Sequence, residues 1–376
     1  QERAGVDIPA DDMVRILRKL HFGCERDGDT LTVTVPAFRE DLDGEADICE
    51  ECLRIYGYQH IPATPLRGQT TQGGYSPEQE LERSLGAVCR ACGYDEIITY
   101  SFISPAYYDK IRWAADDPRR QSLRICNPLG EDTSIMRTTV LPSMLETLTR
   151  NYNYRNKSAR LYEIGRIYLP GGDNGLAVEK KLLSMGAYGG DMDFFVLKGA
   201  VEAILKDLRV ENVSFRAETD NPSYHPGRCA AVWAGDSRLG VLGQIHPLTA
   251  RNYGVDAELY CAELDFDALF QAKGADPVYT PLPKFPAVSR DIAVVCGKDL
   301  TVGALEDCIR KAGGRLLKDV TLFDIYQGKG VAAGYKSVAF SLTLRSDERS
   351  ILAAEADEEV RTILEALERE LGAVLR

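Results

Sequence analysis

The sequence predicts an α+β protein made of three parts, at about residues 1–64, 75–270 and 283–376. Three observations support this prediction. Apolar patterns with the helical period of 3.6 and the strand period of 2 alternate along the chain. Stretches rich in proline and glycine separate the parts. The last part has the order strand, helix, strand, strand, helix, strand, which is typical of a ferredoxin-like fold.

The composition is that of a globular protein, with 44% hydrophobic and 27% charged residues. No apolar run approaches the ~20 residues that cross a bilayer, so we expect no membrane association.

The ten cysteines are scattered, which predicts a reducing compartment and therefore a cytoplasmic protein. Cys49/Cys52 and Cys89/Cys92 have the spacing of zinc ligands, but both pairs fall in predicted helices, which disfavours zinc. Because the first residue is Gln, we expect a fragment or a processed chain.

The net charge of −12 argues against broad electrostatic binding of nucleic acid. Positive charge is instead local, since residues 283–349 contain 11 Lys and Arg against 8 Asp and Glu. We therefore expect any contact with RNA to come from this last part of the chain.

The first part is predicted to contain a helix at Ala10–Leu20, a strand at Thr30–Val35 and a helix at Glu45–Tyr56. The pair Asp27-Gly28 is a typical turn and is placed between the first helix and the strand. One face of the second helix is expected to pack against a core through Ile48, Cys52 and Ile55.

Seven acidic residues lie between Glu40 and Glu51, where the strand gives way to the second helix. Asp47, Glu50 and Glu51 share one helical face, and Asp41 can fold back toward them. Four carboxylates around one point suit Mg²⁺, a hard cation that prefers oxygen ligands. The alternative is that these acids only offset the positive end of the helix dipole, worth ~0.3–1 kcal/mol each.

The second part is predicted to begin with a helix that is capped at Ser76 and opened by Pro77. A strand at Ile97–Phe102 follows, and then further strands and helices, at Leu161–Leu169, Phe194–Leu208 and Ala230–Leu242. The first helix carries an apolar stripe, and we expect part of it to remain exposed as a subunit interface. The alternative is that the stripe is internal core. The candidate interface residues are Leu81, Leu85, Val88 and Cys92, with Cys89 in the same stripe.

The elements of the third part are predicted at Arg290–Cys296, Val302–Ala312, Val320–Tyr326, Ser337–Arg345, Glu355–Leu371 and Ala373–Leu375. Gly328–Gly334 is expected to join the two central strands as a hairpin.

No catalytic residue is assigned, because no Ser–His–Asp arrangement is evident in the sequence. His225 and His246 each precede proline and are predicted to be turn residues. The pairs His21/Cys24 and His225/Cys229 are close in sequence, which is weak evidence for a Cys–His nucleophile.

The run from Pro36-Ala37-Phe38-Arg39 to Tyr56-Gly57-Tyr58, followed by 60–65, resembles a signature of the beta subunit of bacterial phenylalanyl-tRNA synthetase. The family pattern is P-x-[WF]-R-x-D, then D-x-x-E-E, then Y-G-Y. The resemblance implies that residues 1–64 form a small magnesium-binding domain. Its Mg²⁺ ligands would be Asp41, Asp47, Glu50 and Glu51.

The second part resembles the class II synthetase fold as it occurs in the same family. The resemblance rests on four segments in the family's order, at 127–142, 160–168, 225–228 and 242–247. A class II site supplies an Arg just after one strand and another in a glycine-rich motif, to bind ATP phosphates. Here Leu169-Pro170 follows the strand, and no G-x-G-x-x-R sequence occurs. The resemblance therefore implies an antiparallel-sheet core without an active site, with catalysis on a companion alpha subunit.

The third part resembles the ferredoxin-fold anticodon-binding domain, through Pro283–Asp291, Leu322–Gly328 and Lys336–Arg349. Single-stranded RNA is bound by stacking on aromatic side chains and by Lys and Arg on its backbone. The candidate RNA-binding residues are the basic residues at strand ends, namely Lys284, Arg290, Lys336, Arg345 and Arg349.

The resemblance implies the beta-subunit portion of a phenylalanine–tRNA ligase, inactive alone. It would scaffold the alpha subunit in a heterotetramer of two alpha and two beta subunits. It would also bind Mg²⁺ and tRNA(Phe) for ATP-dependent aminoacylation. The helix at 78–92 corresponds in order to the class II motif that builds subunit interfaces. Two other classes stay open: a stand-alone RNA-binding or adaptor protein built from the same modules, and a Mg²⁺-dependent hydrolase, which lacks a nearby base or nucleophile.

Overall fold

The computed structural model describes residues 3–172 and 175–376. The chain divides into two compact units, Gln1–Gly74 and Tyr75–Arg376. In the described ranges, no helix combines the length and the apolar character that a membrane crossing requires.

The first unit is a hairpin packed with two helices. Its elements are α1 (Ala10–Lys19), β1 (Gly23–Asp27), β2 (Thr30–Thr34) and α2 (Glu45–Tyr56). The strands β1 and β2 pair antiparallel, and Gly28 supplies the left-handed turn between them with φ of 58°. The apolar cluster at the centre of this unit contains the buried side chains of Ile8, Leu17, Phe22, Cys24 and Cys52.

Both predicted helices and the predicted strand of the first unit are confirmed, but β1 is a strand that the sequence analysis lacks. The Asp27-Gly28 turn therefore joins two strands, and Cys24 lies on β1 rather than at a helix end beside His21. Only Cys24 of β1 is buried, so the strand shows no alternating pattern. Ile55 is 45% exposed and does not anchor α2.

The larger part of the second unit is a sheet with helices on both faces. Its strands are β3 (Asp95–Glu96), β4 (Phe102–Ile103), β5 (Ile135–Met136), β6 (Ala159–Leu169), β7 (Val178–Tyr188), β8 (Val213–Ala217), β9 (Tyr224–Ala234), β10 (Ser237–Ile245) and β11 (Leu259–Asp265). Its helices are α3 (Pro77–Ala91), α4 (Ala106–Lys110), α5 (Leu141–Asn153), α6 (Phe194–Asp207), α7 (Pro247–Asn252) and α8 (Phe266–Ala272). Seven strands lie in the order β3-β6-β7-β11-β10-β9-β8, antiparallel except for β3 beside β6. The strands β4 and β5 pair separately.

The two faces of this sheet are covered by different helices. Helices α3, α6 and α8 pack on one face, and α5 packs on the other. The approach of α5 depends on Gly186 of β7, where a Cβ atom would lie 2.6 Å from side-chain atoms of Met144. A side chain at position 186 would therefore displace α5.

Two predicted elements of this part are wrong in extent. Of the strand predicted at Ile97–Phe102, only Phe102 lies in a strand, β4, because the backbone and hydroxyl of Thr99 bind the Glu163 side chain instead of a strand ladder. The segment predicted at Ala230–Leu242 is a hairpin of β9 and β10, which turns at Gly235 with φ of 57°.

The remainder of the second unit is ferredoxin-like, as predicted. Its elements are β12 (Val288–Gly297), α9 (Val302–Ala312), β13 (Leu317–Tyr326), β14 (Tyr335–Leu344), α10 (Ala353–Leu371) and β15 (Val374–Leu375). The strand order is β13-β14-β12-β15, and the βαββαβ order is confirmed. Buried apolar side chains of α9 and α10 share one core with alternate residues of β12 and β14, so both helices cover the same face.

Candidate functional site

The four carboxylates of the predicted magnesium site lie at the start of α2 and just before it. Arg39 donates two hydrogen bonds to Asp41, at 2.9 and 2.8 Å, and binds Glu51 at 3.1 and 3.2 Å. Arg54 binds the other side of Glu51, at 2.7 Å. These bonds hold the carboxylates in their charged form. The Arg39 hydrogen bonds lower the pKa of Asp41 to about 2, and those of Arg54 and then Arg39 lower the pKa of Glu51 to about 2.

The other two carboxylates have different surroundings. Asp47 accepts hydrogen bonds from the backbone N–H groups of Asp43 and Gly44, at 2.9 Å each, and so caps the first turn of α2. Glu50 is exposed. The structure therefore brings Asp41 and Glu51 together around the guanidinium group of Arg39. Asp47 instead caps α2, and Glu50 is exposed to solvent.

A magnesium ion does not fit this arrangement as it stands. Across residues 3–172 and 175–376, no group of three or more His, Cys, Asp or Glu side chains is placed to hold a metal ion. Mg²⁺ requires carboxylate oxygens that are free to coordinate, and Arg39 occupies those of Asp41 and Glu51.

A buried polar cluster lies against β6 of the seven-stranded sheet, and no pattern in the sequence predicted it. Arg137 is 1% exposed and binds Glu163, which is 4% exposed, at 3.0 Å. Arg137 also donates to the Thr99 hydroxyl at 2.6 Å and to the Arg166 carbonyl at 2.9 Å. Gly165 leaves the space, because a Cβ atom there would lie 2.4 Å from Arg137 Nη2.

A second carboxylate, which is half-buried, lies in the same row of the sheet. Ser184 of β7 pairs with Glu163 on one side and with Glu263 of β11 on the other. Glu263 accepts hydrogen bonds from the Thr139 hydroxyl and from the first backbone N–H groups of α5. Burial raises the pKa of Glu263 above its usual value. Both carboxylates are thus bound by protein groups, which is an arrangement for packing rather than for binding a substrate.

The predicted interface stripe of α3 faces inward. Leu81 and Leu85 are each 1% exposed within the core that α3 shares with α6, and Val88 and Cys92 are half-buried against it. The expectation of an exposed stripe is wrong, because α6 and the sheet already cover this face. A contact of α3 with a partner stays a prediction and would have to use the opposite face.

A different apolar surface follows α3. Ile98, Tyr100 and Phe102 alternate along the extended segment after β3 and are largely exposed, with the two aromatic rings stacked at 6.5 Å. Below them, Arg137 and Glu163 bind this segment through Ser101 and Thr99. We call these three residues the exposed strip. In the sequence, these three apolar residues alternate with polar ones within the segment predicted as a strand at Ile97–Phe102.

The five predicted RNA-binding residues do not form one patch. Arg290 lies near the start of β12 and pairs with Asp357 at 2.8 Å. Arg345 and Arg349 follow β14 at the same end of the sheet and pair with Asp347 and Glu355, at 3.3 and 2.5 Å. Lys336 begins β14 at the opposite end and is only 9% exposed, and Lys284 is exposed before β12.

Exposed aromatic side chains of the ferredoxin-like part are a further feature that the list of basic residues omitted. Phe323, Tyr326 and Tyr335 lie on β13 and β14 with exposures of 37–57%. The guanidinium carbon of Arg376 stands 5.4 Å from the Tyr326 ring centre. A base could stack on such a ring next to a cation.

Three family models match the chain, one after another. They are "tRNA synthetase B5 domain" at residues 1–58, "Phenylalanyl tRNA synthetase beta chain CLM domain" at 61–266 and "Ferredoxin-fold anticodon binding domain" at 283–376. These matches define a component of an aminoacyl-tRNA synthetase. The central match covers more than half of the chain, so the chain belongs to the phenylalanyl-tRNA synthetase beta chain family.

Curated relatives agree with this assignment. The chain is 41% identical over 373 residues to the phenylalanine–tRNA ligase beta subunit of Clostridium tetani, covering 99% of this chain and 47% of the relative. It is 39% identical to that of Clostridium acetobutylicum with the same coverage, and 40% identical over 381 residues to that of Moorella thermoacetica. The chain spans about half the length of these relatives.

Proposed function

We propose that the chain works as part of a phenylalanine–tRNA ligase, with the role of a beta-subunit portion. It scaffolds an alpha subunit that carries the active site, and it binds tRNA(Phe) for ATP-dependent aminoacylation. The observation that carries the proposal is the succession of three family matches along the chain. Relatives named as ligase subunits over 99% of the chain do not favour a stand-alone adaptor.

Catalysis by the assembled enzyme is assigned to the alpha subunit. In this chain the guanidinium of Arg137 is bound by Glu163, Thr99 and a backbone carbonyl, so it faces the core. Leu169 and Pro170 end β6, where a class II site needs an Arg. The purified chain should therefore give no phenylalanine-dependent exchange between ATP and pyrophosphate.

Assembly is the direct test of the proposal. The chain is co-expressed with a tagged phenylalanyl-tRNA synthetase alpha subunit from a related bacterium, and the mass of the purified complex is measured. We expect a complex of two alpha and two beta chains in the cytoplasmic fraction. An alpha subunit that never retains the chain, with both proteins folded, contradicts the scaffold role.

The tRNA part of the proposal rests on the ferredoxin-like domain. Arg345→Ala and Arg349→Ala should raise the KM for tRNA and flatten its salt dependence, since a phosphate contact to a single strand contributes a slope of about −0.7 in log K against log salt. The rate of adenylate formation should not change. Unaltered tRNA affinity when Lys284, Arg290, Lys336, Arg345 and Arg349 are all replaced by alanine would exclude these basic residues from the interface.

Magnesium stays a proposal at Asp41, Asp47, Glu50 and Glu51. Binding there requires Arg39 to release Asp41 and Glu51, so Mg²⁺ and Arg39 compete for the same oxygens. Calorimetric titration with Mg²⁺ should show tighter binding to the Arg39→Ala variant than to the parent chain. Equal, negligible heats for both chains contradict the site.

A further inference from the structure

Two histidines and an arginine meet where β9 begins and β10 ends. Tyr224 pairs with Ile245, so His225 and His246 are the residues next to this pair on neighbouring strands. The backbone N–H of His246 donates to the Ser223 carbonyl at 2.9 Å. Tyr224 and Ile245 are buried in one core, and strand alternation turns their neighbours His225 and His246 away from it.

Arg112 is fixed to the same place from the loop after α4. Its guanidinium donates to the Pro222 carbonyl at 2.8 Å, and the buried hydroxyl of Ser223 donates to the Ile111 carbonyl at 2.7 Å. Arg112 has φ of 66°, a left-handed conformation that favours glycine. A cationic side chain is thus held where backbone geometry alone would select glycine.

The hydrogen bonds of the two imidazoles determine which nitrogen carries the proton. His225 Nδ1 accepts the Gly227 N–H at 3.0 Å, and His246 Nδ1 accepts the Leu248 N–H at 3.1 Å. In the neutral ring the proton must therefore be on Nε2 in both residues. No acceptor among residues 3–172 and 175–376 is within hydrogen-bond distance of either Nε2. Both histidines are left with a donor that has no protein partner in the described chain.

The charges around this place are positive. Arg112 is anchored to Pro222 and His246 to Ser223, the two residues before Tyr224, and burial followed by the positive charge of Arg112 and of His225 lowers the pKa of His246. Asp109, the carboxylate closest in sequence to Arg112, pairs with Arg120 at 2.7 Å. Two neutral N–H donors and one guanidinium are the kinds of group that bind a phosphate oxyanion.

We propose that Arg112, His225 and His246 form a binding site for a phosphate group, supplied by the backbone of an RNA. The RNA source rests on the proposed function. In a chain with a net charge of −12, phosphate contacts have to be local, and this site lies outside the ferredoxin-like domain. Bound RNA would then be held at two separate places on the second unit.

Substitutions of the two histidines can separate the role of the Nε2 donor, which would bind the phosphate, from that of the Nδ1 acceptor, which holds the turn. Asn offers an oxygen in place of Nδ1, so His225→Asn with His246→Asn keeps the turns and removes both Nε2 donors. Gln offers an amide N–H in place of Nε2, so the double Gln variant keeps the donors. Arg112→Met removes the cation. Arg238→Gln, on the other end of β10 and paired with Glu218 at 3.0 Å, is the charge-matched control.

Affinity for a tRNA(Phe) transcript is measured with the full chain at several salt concentrations. The double Asn variant should lose roughly tenfold in affinity, because two hydrogen bonds to a charged group are removed. Arg112→Met should lose a similar factor and flatten the salt slope by about 0.7–0.9. The double Gln variant and Arg238→Gln should stay within about threefold of the parent chain. Tryptophan fluorescence and circular dichroism check that each variant is folded.

Inorganic phosphate distinguishes the source of the anion. Titration of the ¹⁵N-histidine-labelled chain should shift both Nε2 resonances, and Arg112→Met should abolish the shift. Parent-like tRNA binding by the folded double Asn variant overturns the inference while the proposed function stands. Failure of the parent chain to bind tRNA overturns the RNA source and the RNA role together, even where phosphate shifts both resonances. Absence of phosphate shifts in the parent chain overturns the site itself.

Discussion

The buried pair of Arg137 and Glu163 allows a quantitative prediction. Arg137→Met removes the guanidinium and leaves Glu163 in the core with only the Thr99 hydrogen bonds. Breaking a buried ion pair by removing one partner costs about 3–5 kcal/mol, because the remaining charge is unpaired away from water. With a urea slope of about 1–3 kcal/mol per molar, the unfolding midpoint should fall by roughly 1–5 M.

Fluorescence can follow the unfolding of this unit alone. Both tryptophans of the chain, Trp113 and Trp233, lie in the second unit, so their emission does not report the first. Arg166→Met is the matched control. Arg166 lies on β6, the strand that carries Glu163, and it forms an exposed ion pair with Glu179. An exposed pair contributes about 0–1 kcal/mol, so the control should shift little.

Two further variants test the reasoning. Arg137→Met with Glu163→Leu removes both charges and should be more stable than Arg137→Met alone. Gly165→Ala keeps both charges but places a Cβ atom 2.4 Å from Arg137 Nη2, so it should also destabilise the unit. If Arg137→Met shifts the midpoint no more than Arg166→Met does, the pair is not the centre of this core and the argument fails.

Three other predictions follow from the same structure. Burial raises the pKa of Glu263, so the folded unit binds the carboxyl proton more tightly than the unfolded chain does. The folded unit therefore loses stability as the pH rises from about 4.3, the pKa of an unperturbed Glu. Glu263→Gln should flatten this loss in urea titrations between pH 4 and 8. The pKa values of Asp41 and Glu51 are about 2 in the folded chain, below their values in the unfolded chain. The stabilisation that the two carboxylates give is therefore present above pH 4 and is lost toward pH 2. Hydrogen exchange of α2 should rise as the pH falls from 4 to 2, and it should rise less in Glu51→Gln. Leu85→Asp should unfold the second unit in tryptophan-detected urea titrations, because Leu85 is 1% exposed in the core that α3 shares with α6.

The sequence predicts the ferredoxin-like part almost completely because local signals there agree with one another. Val302–Ala312 begins after a Thr that caps the helix and ends before Gly313, and the structure shows the same bounds. The strand β12 alternates between buried residues and more open ones along its second half. The pattern of a strand with one buried face is the clearest signal a sequence offers.

The middle part was less predictable because its interior is partly polar. Arg137, Glu163 and Glu263 are residue types that a sequence pattern places at the surface, yet Arg137 and Glu163 are buried and Glu263 is half-buried. Their positions depend in part on pairings between strands far apart in the sequence, such as Ser184 with Glu263. The Ile97–Phe102 segment was likewise misjudged, since a side chain of another strand replaces its ladder.

The prediction that the apolar stripe of α3 is exposed was wrong for a related reason. The period of α3 shows which face is apolar, but it does not show whether α6 or a partner covers that face. The structure places α6 there, and it leaves the exposed strip of Ile98, Tyr100 and Phe102 without a cover in the described chain. An apolar pattern therefore predicts burial, and only the fold tells by which element.

The acidic start of α2 shows how one set of residues can satisfy two chemistries. Spacing places carboxylates on one helical face, and both a guanidinium and Mg²⁺ bind carboxylates. Arg39 is part of the same motif and, at two residues from Asp41, it reaches Asp41 and Glu51 together. With its five donors fixed in a plane, Arg39 can hold two carboxylates at once without losing its charge. If Mg²⁺ binds at this place, it has to displace Arg39 from Asp41 and Glu51, and the Arg39→Ala titration measures that competition directly.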